Sequence, residues 1–177
     1  DENLLARVPK RAQSRDYYKA TKVLSDGIRI GPEWNEALAE LNAKVGAKHQ
    51  VDIWMVFTTY ESPEYAEAVE AAWTLGPKNG LIVVIGVGTD NTFKWARVVS
   101  VSKGEAIKVA LRDALVGKSL NSMTEVFGII EKEVTTKYER THSIKRRSSL
   151  LNMYPKSKTT TQKRITATYL IRSNCSL

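Results

Sequence analysis

AAWTLGPKNGLIVVIGVGTDNTFKWARVVSV, residues 71–101, decides the fold. It reads as the end of a helix, a turn, a buried strand, a tight loop and a second strand. Leu81 to Val87 is apolar throughout, the pattern of a strand covered on both faces. Val51 to Phe57 has the same character, with Asp52 as its one polar position. Between these strands, Ser62 is placed to cap a helix with Pro63 at its first position. Tyr65, Val69, Ala72 and Trp73 supply its buried face, and Gly76-Pro77 ends it. Strand, helix and strand in this order predict a right-handed crossover with parallel strands. The loop Gly86 to Asn91 is too short for another crossover, so Phe93 to Val101 must return antiparallel beside the second strand.

The flanking segments complete the layers. Gly31-Pro32 opens a helix with Trp34, Leu38, Leu41 and Val45 on one face, and Gly46 is read as its stop. Lys103-Gly104 leads into a helix from Glu105 to Val116, closed by Gly117. A last helix begins at Asn121-Ser122, where Ser122 and Glu125 have the capping-box spacing, and Val126, Phe127, Ile130, Val134 and Tyr138 line its inner face. The predicted fold class is α/β: a three-layer α/β/α sandwich with a small mixed sheet, built from a βαβ crossover followed by an antiparallel hairpin strand.

With 177 residues, 42% of them hydrophobic, the chain can bury one core. No stretch approaches the run of about 18 apolar residues that a transmembrane helix needs. Cys175 is the single cysteine, so no disulfide or cysteine-based zinc site can form within one chain. The net charge of +8 is unevenly placed: nine of the 27 Lys and Arg, and no acid, lie from Arg140 onward, which leaves 18 bases against 19 acids before it. Such segregation suggests an appended tail. The expected organisation is an extended lead-in at 1–20, an α/β domain at 21–139 and a basic, Ser/Thr-rich tail at 140–177. Within the tail, Lys145, Arg146 and Arg147 are candidates for contact with an anionic surface or nucleic acid. Arg164 to Ile171 alternates weakly, as an added edge strand would.

Several motifs fail on context. Gly86-Val87-Gly88 lacks the third glycine of a dinucleotide loop and leads into a strand, so it reads as a hairpin turn. Gly117-Lys118-Ser119 resembles the end of a P-loop but leaves a helix, with Arg112 where the first glycine should stand. His49 and His142 are isolated from other ligand types. Thr58 and Thr59 read as polar residues at a helix entry. Topology singles out a different place. With strands one and two parallel and strand three reversed, Asn79-Gly80 and Lys103-Gly104 reach the same sheet edge, beside the start of the helix from Glu105. Lys78, Asn79, Gly80, Lys103 and Gly104 there are candidate ligand-binding residues for an anion, although two ordinary glycine turns would look the same.

The order of these pieces resembles the TPM domain family, named for a thylakoid lumen protein, a photosystem II accessory protein and a nematode receptor modulator. The resemblance runs from about Glu33 to Tyr138. It is carried by Tyr65-Ala66, Trp73 and Gly76, then Asn79-Gly80 opening an apolar strand, and by Leu111-Arg112-Asp113-Ala114 with Gly117-Lys118 behind it. It implies an α/β sandwich that either helps assemble a membrane complex by binding a partner protein or acts as a phosphatase. For a phosphatase, Asp113 and Glu105 would be the catalytic residues, with Ca or Mg as cofactor. An extracytoplasmic or lumenal location is suggested only by the resemblance. The family often carries an acid where this chain has Lys78, and aligning on Asp113 puts Lys108 on a Glu. Those two lysines would repel a cation, so the expectation is a non-catalytic domain recognising a partner protein or an anionic ligand, with the phosphatase as the alternative.

Overall fold

The computed structural model describes residues 2–11, 20–73, 79–100 and 104–139, all within the unit Asp1–Ser143. The elements are α1 (Glu2–Arg7), β1 (Val23–Asp26), α2 (Pro32–His49), β2 (Asp52–Thr58), α3 (Glu64–Ala72), β3 (Gly80–Val87), β4 (Phe93–Ser100), α4 (Glu105–Leu115), a 3-10 turn (Leu120–Ser122) and α5 (Met123–Lys137). The sheet order is β1-β2-β3-β4. The first two pairs are parallel and β3/β4 is antiparallel, so the mixed sheet read from the sequence is present. Lys78, Lys103, Lys145, Arg146, Arg147 and the whole basic tail lie outside the described residues.

Alternation within the strands divides the core in two. Ile53, Met55 and Phe57 of β2, with Leu81, Val83 and Ile85 of β3, face the layer formed by α2, α4 and α5. Trp54 and Val56, with Ile82 and Val84, face α3 and α1. Every residue of β2 and β3 is buried, which is why neither strand shows a polar face. Each aliphatic or aromatic side chain taken fully out of water contributes about 1.5–3 kcal/mol, so these two strands are the energetic centre of the domain. Trp34 meets Phe57 edge-on at 5.1 Å in one layer, and Trp54 meets Trp73 at 5.7 Å in the other.

The two crossovers have opposite hands. Helix α2 joins β1 to β2 over one face and α3 joins β2 to β3 over the other, while both steps move the same way across the sheet. Met55 decides which is which. Its side chain faces the α2 layer, and its N–H is bonded to the Lys22 carbonyl at 2.9 Å on the β1 side. For an L-residue this places β1 to the right of β2 when β2 runs upward and is seen from α2. The β2-α3-β3 unit is therefore right-handed, as expected, and β1-α2-β2 has the uncommon left hand. In consequence the chain leaves the carboxyl ends of β1 and β2 in opposite directions, and a crevice opens between them.

Four local expectations need correction. Residues 2–7 are helical where an extended lead-in was expected. Six residues are too few to show a period, and α1 is held by tertiary contacts: Leu4 and Val8 are buried in the α3 layer. Strand β1 was not foreseen either, because four residues carry almost no alternation. It is fixed by bonds from Met55 N–H to Lys22 O and from Thr59 N–H to Asp26 O, and by the Asn35 side chain, which accepts the Lys22 N–H at 2.8 Å. Gly46 does not stop α2, which runs on to His49 and is capped by Gln50 in the left-handed region. A Cβ at Gly46 would stand 3.3 Å from the Val51 carbonyl oxygen, so the glycine serves the close return of the chain into β2. The capping box at α5 is also absent: Glu125 reaches back to Lys118 at 2.5 Å, and the Ser122 side chain makes no cap bond.

Gly117 ends the turn after α4 at φ 82°, with nothing within 4 Å of the position a Cβ would take. The cost of Gly117→Ala is then backbone strain alone. Urea denaturation should show a loss of about 1–2 kcal/mol, with a smaller loss for Gly117→Asn.

Candidate functional site

At the amino-terminal edge of the parallel strands, the Asn79 carbonyl accepts hydrogen bonds from the Asp52 N–H at 3.1 Å and the Tyr138 hydroxyl at 3.2 Å. Ser100 donates its hydroxyl to the Gly80 carbonyl at 3.0 Å. The register sets Ser100 opposite Leu81, so β4 ends at this same edge and Gly104 caps α4 beyond it. The backbone carbonyls of Asn79 and Gly80 are thus bound by donors of the domain itself. The Asn79 side-chain oxygen is buried without a hydrogen-bond partner.

The two carboxylates expected of a phosphatase sit on α4. Glu105 pairs with Lys108 and Asp113 with Arg112, each at 2.8 Å. Eight residues separate them, which is about 12 Å along a helix axis at 1.5 Å per residue. Oxygen ligands lie about 2.0–2.6 Å from Mg or Ca, so two carboxylates that far apart do not share one ion. Among the described residues, no three His, Cys, Asp or Glu side chains are grouped to hold a metal.

The crevice at the carboxyl ends of β1 and β2 brings together residues that the sequence reading kept apart. The Asp26 carboxylate accepts from Arg7 at 2.9 and 3.1 Å and from the Thr58 hydroxyl at 3.1 Å. The Thr58 hydroxyl also accepts the Tyr60 N–H at 3.1 Å, and the Arg7 guanidinium lies 5.5 Å from the centre of the Tyr60 ring. Asp26 escaped notice because β1 did. The one available signal was Ser25-Asp26-Gly27, a polar exit into a glycine at φ 74°. In place of the helix-entry role expected of Thr58, its hydroxyl binds the neighbouring strand's carboxylate. Beside this network lies a cavity of about 500 Å³ lined by Thr59, Tyr60, Glu61, Gly88, Asn91 and Trp95. Open α/β sheets usually bind ligands at such carboxyl ends. On the rim, Lys94 and Thr92 hold the Asp90 carboxyl far below its ordinary range.

Tyr65 anchors the inner side of the same cluster. It is fully buried and donates to the Arg7 carbonyl at 3.3 Å. Burial first, and the nearby Asp26 charge second, push its hydroxyl up to about 12. The folded chain then holds this proton more tightly than the unfolded chain, whose tyrosines titrate near 10. The stability linked to Tyr65 is complete below about pH 10 and is lost as pH rises through about 12. Tyr65→Phe should flatten the decline of the urea midpoint across that window.

Fold and site together define a class: an α/β/α domain with a four-stranded mixed sheet, a crevice at the carboxyl ends of its parallel strands, and no helix among the described residues long and apolar enough to cross a membrane. No protein-family model matches the chain, and no curated protein does. Among solved structures it is similar to the N-terminal domain of the cg2496 protein from Corynebacterium glutamicum, with a TM-score of 0.49 and 16% identity over 75% of this chain and 89% of that one. It is also similar to the N-terminal domain of a protein from P. gingivalis, with a TM-score of 0.48 and 13% identity over 70% of this chain and 88% of that one.

Proposed function

We propose that this chain is a TPM-like domain that works by binding a partner protein and does not turn over a phosphomonoester. The observation that carries the reading is the state of the two α4 carboxylates: Glu105 and Asp113 are each engaged by an adjacent cation, and their separation of about 12 Å along the helix is too great for a shared metal ion. An anion at the Asn79-Gly80 edge is less favoured, since the buried Asn79 side-chain oxygen there is an acceptor without a partner and would repel it. The test is phosphate release from an aryl phosphate with and without calcium or magnesium, run beside Asp113→Asn. The expected result is no release above blank in any condition. Metal-dependent release abolished by Asp113→Asn would sink the binding reading.

A further inference from the structure

We infer that the outer edge of β4 takes up an extended segment of a partner protein as a fifth strand, one in which apolar and basic side chains alternate. This rests on the binding reading and names the surface and the chemistry it recognises. β4 has β3 on one side and, among the described residues, no strand on the other. Phe93 shows which backbone groups face outward: its N–H is bonded to the Lys118 carbonyl at 2.7 Å, and its carbonyl accepts the Gly117 N–H at 2.9 Å. Residues of a strand whose side chains share a face aim their N–H and C=O to the same side. Ala96 and Val98 bury their side chains on the face of Phe93, so they too point outward. No backbone group outside the sheet ladder bonds them among the described residues.

This edge is the floor of a cleft of about 790 Å³ between α3 and α4, and its two walls differ. On one wall, Val109 of α4 and Val116, the extended residue that follows the helix, are 45% and 44% exposed and line the cleft with the Glu105–Lys108 and Arg112–Asp113 ion pairs. Leu5 is the only other large hydrophobic so exposed among the described residues. On α3, Glu67 and Glu70 line the cleft and the helix holds no base. Glu67 meets Arg97 at 3.2 Å. Glu70 has no ion pair among the described residues and lies toward the negative end of its helix, where a carboxylate is unfavourable and a cation is welcome. A strand laid along β4 would alternate its side chains between these walls, apolar toward Val109 and Val116, basic toward Glu70. A second copy fits less well. In the antiparallel register that pairs Ala96 with Val98 of the second chain, Arg97 would face its own equivalent, and like charges so placed destabilise the pair.

The probe is an eight-residue peptide alternating valine and lysine, titrated into the full chain and followed by the amide resonances of β4. The Ala96 and Val98 amides should shift and exchange more slowly. Val109→Lys and Glu70→Lys should each weaken binding by about tenfold, and a valine/glutamate peptide should bind at least as poorly. N-methylation at alternate residues, in the register that removes the donors facing β4, should abolish binding. Equal binding by the acidic or N-methylated peptide would overturn the inference. So would shifts confined to another surface, or sedimentation showing that the chain already pairs with itself through β4. Failure of the peptide without phosphate release would sink only this surface, whereas release lost on Asp113→Asn would sink the binding reading itself.

Discussion

Asp52→Ala is expected to lower the unfolding free energy by about 3–5 kcal/mol, the cost of stripping one partner from a buried ion pair. Asp52 and Lys22 keep only 11% and 9% of their side chains exposed and meet at 2.5 Å. The other carboxylate oxygen accepts the Trp54 indole N–H at 2.9 Å, and the ammonium lies 5.7 Å from the Trp54 ring centre. Removing the carboxylate therefore leaves a buried charge and a buried indole donor without it. Asp52→Asn keeps an acceptor for Trp54 and should lose less. The double variant Lys22→Met/Asp52→Leu should recover most of the loss, because an apolar pair needs no solvation. Urea denaturation of the four proteins checks this. A midpoint for Asp52→Ala within experimental scatter of the parent would show that water reaches the pair.

The same residue shows how much of the domain could be read from its sequence. Asp52 stood out as the one polar position in an apolar strand, but its partner is 30 residues away, just ahead of a strand too short to signal itself. The central elements were legible because β2 and β3 are buried on both faces and carry unbroken apolar runs at 53–57 and 81–87. The hairpin was legible because its loop is too short for a crossover. The elements that were missed depend on contacts distant in sequence: β1 is held by Met55 and Thr59, and α1 by α3. The site followed the same division. Asn79-Gly80 could be placed at an edge by strand direction alone. The Asp26 network could not, since Arg7, Asp26, Thr58 and Tyr65 become neighbours only after both layers have formed.

Gly86→Val is expected to lower stability by about 3 kcal/mol and to unseat Trp95. Gly86 pairs with Thr58 of β2 on one side and with Trp95 of β4 on the other. A Cβ there would come within 2.1 Å of the indole nitrogen, so the ring and not the backbone must move. Trp95 is 8% exposed and donates its indole N–H to the Tyr60 carbonyl at 3.0 Å. Forcing it aside adds an overpacking cost of about 1–3 kcal/mol and removes a hydrogen bond worth about 1 kcal/mol. The Trp95 indole N–H should then exchange with solvent much faster than in the parent, which is the readout a general loss of packing would not single out. Gly86→Val/Trp95→Ala should cost less than the two single changes added together, because the second substitution removes the obstacle that makes the first expensive. Strict additivity would show that the glycine serves the strand's backbone and not the ring. A slow-exchanging indole in Gly86→Val would show that Trp95 has found another seat, leaving the Tyr60 carbonyl and the adjoining cavity undisturbed.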